Sequence, residues 1–359
     1  MIFSKSRKFL LLILPMLGTA LCAQAVTHSK ASPAKKKSAA APVAAESTKK
    51  AANTLSRDPY YGAVVIDAAT GAILQEDHAS AAAYPASMIK LMNLFLILDD
   101  VKAGKLRLDE PITITREVSL IGGRQVWLKE GEVFPLEELI YATLIHSAND
   151  AAAALAIRAS GSKEAHIARM MAKARELGLR NTVIHTVHGL PPGPGQEPDM
   201  TSALDMALLA KALLAAHPEI LKYTSISTRP FREGNPVQLT SSNKLLGKVP
   251  GCDGLKTGYF YAGGFSITAT AQRDGRRVIA VILGSKDKHV RDAKAAEFIE
   301  SGFAKLPALP PPVVEPAPEP APVMPVVEKK HGFLLPALGL VALIAAAVIF
   351  VRRRKKNNR

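Results

Sequence analysis

The sequence has little cysteine, which limits how the fold can be held together. Only two of its 359 residues are cysteine, and one of them, Cys22, lies in an apolar N-terminal run. If that run is removed during export, Cys252 stands alone and no disulfide can form within the chain. A lone cysteine can be a reactive thiol, but it is more often a small buried apolar residue.

The central part of the sequence also lacks an excess of basic charge. The chain carries a formal net charge of +15, but most of this excess lies near the two ends, outside residues 57–305. A nucleic-acid-binding function would need a basic globular surface, and this distribution does not provide one. No serine occurs in a Gly-x-Ser-x-Gly sequence, so the nucleophile elbow of the α/β-hydrolases is excluded.

The N-terminus has the pattern of a secretion signal. A positive stretch at residues 5–8 precedes an apolar run at 9–21, and Ala23-Gln24-Ala25 has the small-residue pattern of a cleavage site. We therefore predict a signal peptide over residues 1–25, which implies export. Lipid attachment at Cys22 is less favoured because the preceding residue is not small. A retained N-terminal anchor is less favoured because the run is short.

The C-terminal end predicts a membrane anchor. Residues 332–351 carry no charge and are long enough to span the hydrocarbon core of a bilayer. A basic tail follows at residues 352–359, and positive residues remain on the cytoplasmic side. We therefore expect a single-pass protein of the cell membrane, bound to it by one C-terminal helix, with the central domain outside the cytoplasm.

Two low-complexity segments separate these ends from the rest of the chain. Residues 26–56 are rich in Ala, Lys and Ser, and residues 306–331 form a Pro-rich segment. Neither can bury enough apolar surface to fold, so we expect a disordered linker and an extended spacer. The remaining residues, 57–305, are enough for one globular domain with a sizeable core.

The hydrophobic pattern of this domain predicts an α+β fold. The expected strands are Gly62–Asp67, Gly71–Gln75, Phe265–Ala271 and Arg277–Gly284, the last two joined at Asp274-Gly275. The expected helices are Lys90–Leu98, Leu136–Ile145, Ala151–Ala159, Ser162–Leu177, Ser202–Ala216 and Val290–Ser301. Strands at both ends with helices between them indicate one antiparallel sheet flanked by helices, with an inserted helical region.

The first motif with candidate chemistry is Ser87-Met88-Ile89-Lys90. Ser-x-x-Lys is common by chance, but here a helix of buried character follows directly. Residues three apart share one face of a helix, so the Ser87 hydroxyl and the Lys90 amine can meet. The hydroxyl becomes a good nucleophile only if a base accepts its proton. Lys90 can be that base if burial and a second cation lower its pKa.

The other two motifs are Ser147-Ala148-Asn149 and Lys256-Thr257-Gly258. In the former, a hydroxyl and an amide can relay a proton and hold a substrate amide. In the latter, Lys256 offers the second cation, and the glycine allows close approach of a substrate carboxylate. Each motif alone is more often an ordinary turn. Ser241-Ser242-Asn243 also has the Ser-x-Asn pattern and is an alternative to Ser147-Ala148-Asn149. Only their order and context together favour a catalytic site.

The three motifs in this order resemble those of penicillin-binding proteins and class A β-lactamases. Longer patterns make the resemblance more specific, namely Tyr84–Lys90, Ser147–Ala152, His188–Leu190 and Asp253–Gly258. Over residues 57–303 the chain is similar to the low-molecular-mass penicillin-binding proteins, the D-alanyl-D-alanine carboxypeptidase family. The resemblance implies the serine β-lactamase/DD-peptidase-like fold and an enzyme that uses no metal and no organic cofactor.

The resemblance also implies a role for each motif residue. Ser87 would attack the carbonyl of the penultimate D-Ala of a peptidoglycan stem pentapeptide and form an acyl-enzyme, with Lys90 as general base. Ser147 would pass a proton to the leaving D-Ala. The implied substrate-binding residues are Asn149, Lys256, Thr257, Gly258 and Arg277. The implied oxyanion hole consists of the backbone N–H groups of Ser87 and Tyr259. β-Lactams are then expected to be covalent inhibitors.

Several alternatives stay open. A DD-endopeptidase would cut cross-links instead of removing the terminal D-Ala. A class A β-lactamase would need a deacylating glutamate, for which Glu197 is a weak candidate. A non-catalytic, membrane-tethered wall-binding protein is a further possibility, and His146 is a weak candidate for a histidine base. Tyr259 stands where some family members have histidine, and the β-rich second domain of many members is replaced by the Pro-rich segment.

Overall fold

The structure is a computed structural model that describes residues 54–307, except residues 233 and 235. The segment predicted to be the catalytic domain lies within this range. The predicted signal peptide, most of the linker and spacer, the apolar C-terminal stretch and the basic tail lie outside the described residues. Within the described part of the chain, no helix combines the length and apolar character needed to cross a membrane.

Strands occur at both ends of the described segment, and two short hairpins lie between them. In chain order the strands are β1 (Gly62–Asp67), β2 (Ile73–Asp77), β3 (Pro111–Thr113), β4 (Val133–Pro135), β5 (Thr228–Phe231), β6 (Val237–Thr240), β7 (Cys252–Phe260), β8 (Gly264–Arg273) and β9 (Arg276–Ser285). The helices are α1 (Lys90–Lys102), α2 (Arg116–Ser119), α3 (Leu136–Ile145), α4 (Asn149–Ser160), α5 (Lys163–Glu176), α6 (Ala203–Ala216), α7 (Leu221–Thr224) and α8 (Lys288–Lys305). A 3₁₀ turn at Ala86–Ile89 leads directly into α1.

The main sheet joins the two ends of the domain. Its five strands follow the order β2-β1-β9-β8-β7, and the pairs β1–β2, β1–β9, β7–β8 and β8–β9 are antiparallel. The pairing of β1 with β9 brings the N-terminal hairpin against the C-terminal strands. This arrangement confirms the predicted α+β fold, in which helices are inserted between the two groups of strands.

Side chains of β1 alternate between the two faces of the sheet, as the pleat of a strand requires. Val64 and Ile66 belong to the larger hydrophobic core, which also contains the buried residues of α1, α3, α4 and α6. Ala63 and Val65 face the other side and pack with residues of α8 such as Phe298. Full burial of an aliphatic side chain of this size contributes about 2 kcal/mol, so both faces of the sheet stabilise the fold.

Helix α1 is buried on every side, in agreement with its nearly continuous apolar sequence. All residues from 90 to 98 are buried, because α4, α5 and α6 pack around this helix. Lys90 is the first residue of α1 and is therefore carried into the interior. The site thus depends on a helix whose first nine residues are all buried.

Serine hydroxyls cap the starts of α5 and α6. Ser202 Oγ accepts the backbone N–H of Asp205 at 3.1 Å, and Ser162 Oγ accepts that of Ala165 at 3.1 Å. Strand β7 and the two short hairpins are not indicated by the patterning. Strand β7 contains two glycines and a buried lysine, so it lacks the alternation of apolar residues that marks a strand.

Candidate active site

Ser87 lies in the 3₁₀ turn before α1. Its Oγ lies within hydrogen-bonding distance of Lys90 Nζ, at 3.0 Å. The turn packs against β7, and a Cβ atom at Gly258 would lie 2.5 Å from the carbonyl oxygen of Pro85. Glycine at position 258 is therefore needed for the β7 backbone to approach the serine this closely.

Lys90 has no exposed surface, and its amine is held by three oxygens. In addition to Ser87 Oγ, Nζ donates to Asn149 Oδ1 at 2.7 Å and to the backbone carbonyl of His188 at 2.6 Å. Burial lowers the pKa of Lys90 well below its ordinary value, and the charge of Lys256 lowers it further. This favours the neutral amine, which is the form that can accept a proton from a hydroxyl.

The second motif forms the tight turn between α3 and α4. Ser147 has a positive φ of 64°, and only 6% of its surface is exposed. Asn149 begins α4, and its Nδ2 donates to the carbonyl of Gly122 at 2.9 Å. Next to it, the buried carboxylate of Asp150 accepts the backbone N–H of Leu128 at 3.1 Å. The loop before β4 is therefore fixed against this turn.

The third motif lies in β7, the last strand of the sheet. Lys256 is 3% exposed, and its Nζ donates to the carbonyl of Thr257 at 3.1 Å. Burial, followed by the charges of Arg124 and Arg291, lowers the pKa of Lys256 to about 7. The amine therefore has little solvent and few acceptors to stabilise its positive charge.

One cavity of about 550 Å³ connects the three motifs. The predicted site residues that line it are Ser87, Ser147, Thr257, Gly258 and Tyr259. Three further predicted residues are buried next to this lining. Lys90 contacts Ser87, Asn149 contacts Lys90, and Lys256 contacts Thr257. The structure therefore brings the predicted nucleophile, base, proton relay and anion-binding strand to one place.

Arg277 does not lie at this site. Its guanidinium forms a two-bond ion pair with Asp253, with Nη1–Oδ1 and Nη2–Oδ2 distances of 2.7 Å each. It lines a separate cavity with Gln272 and Arg276. In the sheet, Arg277 pairs with Gln272, whereas Thr257 pairs with Ile267, which lies several residues along β8. The structure therefore does not bring Arg277 to the cavity that the three motifs line.

Two arginines that the motifs do not indicate line the cavity instead. Arg291 is 4% exposed, and its guanidinium contacts the carboxylate of Asp292 at 2.6 Å. Arg124 lies at the mouth of the cavity and donates to Ser242 Oγ at 2.8 Å. A signal for Arg291 is present in the sequence, because it shares the apolar face of α8 with Ala295 and Phe298. A charged residue on a buried face is a candidate site residue.

The weaker candidates from the sequence lie outside the Ser87–Lys90 contact. His146 begins the turn that carries Ser147; burial, with the charges of Arg124 and Lys256, lowers its pKa to about 4. The serine hydroxyl meets Lys90 and not this imidazole, so the geometry favours a lysine base.

Glu197 and Cys252 contribute nothing to this cavity. Glu197 lines a different cavity, together with Lys163 and His185. Burial raises the pKa of the Cys252 thiol, which disfavours the reactive thiolate form.

The model of the D-alanyl-D-alanine carboxypeptidase family matches residues 50–287, a segment that contains all three motifs. The chain belongs to the D-alanyl-D-alanine carboxypeptidase family. The predicted family is thereby confirmed. Among curated relatives in the D-alanyl-D-alanine carboxypeptidase family, DacF of Bacillus subtilis (strain 168) is 34% identical over 245 residues, which cover 68% of this chain and 62% of that protein. The chain spans less than two thirds of the length of such relatives.

Solved structures of the family share the fold. Penicillin-Binding Protein D2 from Listeria monocytogenes, solved in the ampicillin-bound form, is 30% identical, with 68% of this chain and 97% of that chain covered and a TM-score of 0.62. The D-alanyl-D-alanine carboxypeptidase DacD from Francisella tularensis is 26% identical, with 70% and 71% covered and a TM-score of 0.65. The predicted DD-peptidase-like fold is confirmed by these similarities.

The C-terminal end requires a correction. A second family model, described as the LPXTG cell wall anchor motif, matches residues 334–358. This segment contains both the apolar stretch and the basic tail on which the membrane interpretation was based. The predicted single-pass membrane localisation is therefore wrong, and the motif indicates attachment to the cell wall. Residues 335–339 read Leu-Pro-Ala-Leu-Gly, so Leu338 stands where the motif has threonine.

Proposed function

We propose that this protein is a serine-type D-alanyl-D-alanine carboxypeptidase that removes the terminal D-Ala from peptidoglycan stem pentapeptides. The observation that carries the proposal is the buried amine of Lys90, which lies 3.0 Å from Ser87 Oγ beside an open cavity. Membership of the family supports the substrate class. The chain spans only 62% of DacF, and the proposed activity rests on the residues of this chain itself.

The first step forms an acyl-enzyme. The neutral amine of Lys90 accepts the proton of the Ser87 hydroxyl, and Oγ attacks the carbonyl carbon of the penultimate D-Ala. Negative charge then develops on the carbonyl oxygen. The backbone N–H groups of Ser87 and Tyr259 are the proposed donors to that oxyanion, and one such donor typically contributes about 3–4 kcal/mol to transition-state stabilisation.

The second step releases the product amine and then the acid. The C–N bond breaks, and the leaving D-Ala nitrogen receives a proton through the hydroxyl of Ser147, which lines the cavity. Water next attacks the ester carbonyl, one proton returns to Ser87 Oγ, and the shortened stem peptide leaves with a new carboxylate. The enzyme ends in its starting state, so no other reactant is required.

The positive side of the cavity suits the terminal carboxylate of the substrate. Lys256 and Thr257 lie on β7, and Arg291 replaces Arg277 as the arginine that can reach the same cavity. Charge-assisted hydrogen bonds to a carboxylate are shorter and stronger than neutral ones. As the edge strand of the sheet, β7 can also pair with an extended peptide backbone.

The location of the chain agrees with a substrate in the wall. We propose that residues 1–25 direct export and that residues 57–305 form the catalytic domain. The cell wall anchor motif at residues 334–358 is consistent with a domain that remains near peptidoglycan.

Covalent labelling with a fluorescent penicillin tests the proposal. The wild-type protein should be labelled, and Ser87→Ala should lose the label because the nucleophile is gone. Ser160→Ala is the matched control: Ser160 also begins a Ser-x-x-Lys sequence, but it contacts His166 instead of a lysine. Wild-type protein that has not been exposed to penicillin should also release free D-Ala from a stem pentapeptide. Shortening of cross-linked dimers without that release would favour the DD-endopeptidase, and a folded but unlabelled wild type would favour a non-catalytic protein.

A further inference from the structure

The hydrogen bonds of Lys90 determine where its lone pair points. A neutral amine has two N–H groups and one lone pair. Asn149 Oδ1 and the carbonyl of His188 lie 2.7 Å and 2.6 Å from Nζ, so these two oxygens occupy both N–H groups. The lone pair is then left for the hydroxyl of Ser87, at 3.0 Å. Proton transfer therefore depends on how firmly the His188 carbonyl is held.

The peptide group that carries this carbonyl also forms a hydrogen bond through its N–H, on the opposite side. The carbonyl of His188 and the N–H of Gly189 belong to one planar peptide unit and point in opposite directions. The N–H of Gly189 donates to Thr186 Oγ1 at 2.7 Å. The carbonyl cannot turn away from Lys90 without breaking this bond, because the peptide plane moves as a unit.

Thr186 is in turn fixed by a buried carboxylate. Asp199 is 5% exposed, and its Oδ2 accepts the hydroxyl of Thr186 at 2.6 Å. Its Oδ1 accepts the backbone N–H groups of His185 and Thr186 at 2.6 Å and 2.9 Å. Bonds between a charged carboxylate and such donors are stronger than neutral ones. Asp199 thus anchors the loop from which the His188 carbonyl projects.

We propose that Asp199 and Thr186 are positioning residues for the general base, acting through the His188–Gly189 peptide to direct the lone pair of Lys90 at Ser87. Neither residue touches the substrate cavity lined by Ser87. The inference rests on the proposed function in one respect, since it takes Lys90 to be the base. It adds two residues that none of the three motifs contains.

Asp199 has a second effect through its charge. The charged groups that act on Lys90 come from several elements: Lys256 on β7 and Arg124 in the loop before β4 lower its pKa, while Asp199 and Asp150 raise it. His188 beside it is neutral, since burial lowers its pKa to about 3. Removal of the Asp199 charge should lower the pKa of Lys90. The acid limb of the pH profile, which is the pH range in which the acylation rate falls because Lys90 becomes protonated, should then move to lower pH. Loss of the Thr186 hydroxyl should instead reduce the rate at every pH.

The experiment measures the second-order rate constant for acylation by a fluorescent penicillin, from acidic to alkaline pH, together with thermal unfolding. The variants are Thr186→Val, Thr186→Ser and Asp199→Asn. Thr182→Val is the matched control, because Thr182 Oγ1 donates to the carboxylate of Asp205 at 2.8 Å in the same segment. That variant loses the same kind of buried bond, but it leaves the His188–Gly189 peptide unchanged.

Thr186→Val should slow acylation by about tenfold or more at all pH values, as expected when a catalytic group is misdirected. Thr186→Ser should restore most of the rate, and Thr182→Val should lower the unfolding temperature but keep the wild-type rate. Asp199→Asn keeps the size of the side chain and should shift the acid limb to lower pH.

Two results would overturn the inference. One is Thr186→Val acylating as fast as Thr182→Val at equal folded fraction. The other is Asp199→Asn with an acid limb that is unmoved or moved to higher pH. These results are distinct from failure of the proposed function, in which the wild-type protein itself would not be labelled at Ser87. If Thr186→Val does not fold, the acid limb of Asp199→Asn decides, because its expected shift to lower pH does not depend on the threonine variants.

Discussion

Lys90 and Lys256 come from opposite ends of the domain, and the charge of one lowers the pKa of the other. Both side chains are almost fully buried, at 0% and 3% exposure. Burial is the larger cause for each, because a charged amine loses its hydration inside the protein. The result is a site in which the neutral form of Lys90 is favoured by its surroundings before any substrate binds.

Replacement of the second lysine tests this coupling. In Lys256→Met the repulsion is lost, so the pKa of Lys90 should rise and a higher pH should be needed to form the neutral base. The acid limb of the pH profile for acylation, measured with saturating fluorescent penicillin, should therefore move to higher pH. Arg124→Gln should move it in the same direction but less, since Arg124 is a smaller cause. An unmoved limb in Lys256→Met would contradict the coupling.

A pair of arginine variants tests the corrected carboxylate site. Arg291→Gln should lower kcat/KM for a stem pentapeptide with a free terminal carboxylate by about tenfold to a hundredfold, because hydrogen bonds to charged groups contribute about 1.5–3 kcal/mol. Arg277→Gln should leave kcat/KM near the wild-type value and affect stability instead, because this residue pairs with Asp253. The reverse pattern would restore the role that the sequence assigned to Arg277.

Gly189 should tolerate no side chain. It has a φ of +80°, and an added Cβ would lie 2.0 Å from the carbonyl oxygen of Ala86, beside the nucleophile. Gly178 has a φ of +69° with nothing within 4 Å, so Gly178→Ala should cost only the backbone penalty of about 1–2 kcal/mol. Gly189→Ala should lose more unfolding free energy in denaturant titrations and should also slow acylation. Equal effects of the two variants would mean that the loop carrying Gly189 can shift to accommodate the added Cβ without cost.

His166 should make stability depend on pH. It is fully buried, and burial lowers its pKa from 6.5 to about 4. Between these values the unfolded chain binds a proton that the folded chain does not, so unfolding free energy falls as the pH drops from 6.5 towards 4. The shift corresponds to about 3 kcal/mol. In His166→Asn the pH dependence of unfolding free energy should be shallower over this range; an unchanged slope would show that the imidazole is not the group responsible.

Local patterns were sufficient for much of the fold. The helix at Leu136–Ile145 and the strand at Gly62–Asp67 occur at their predicted bounds. The hairpin around Asp274-Gly275 is also confirmed. These features depend on neighbours in the sequence: the period of the apolar residues, a capping hydroxyl or a turn dipeptide. The contact between Ser87 and Lys90 belongs to the same class, because a spacing of three residues at a helix start brings them together.

Composition was less reliable at the C-terminus. An uncharged stretch followed by a basic tail predicted a membrane helix, whereas residues 334–358 match a cell wall anchor motif. The apolar length and the following charge are shared by both interpretations. Only a short sequence within the stretch separates them, and a hydropathy argument averages over it.

Sequence alone determined which motif side chains are candidates for the chemistry, because each motif is a few adjacent residues whose spacing sets their local geometry. Tertiary structure decided where those motifs meet and which groups surround them. The register of β7 with β8 and of β8 with β9 directs Arg277 away from the site, and α8 supplies Arg291 instead. The pKa of Lys90 is likewise a property of the fold, since burial and charges from distant segments act on it through space.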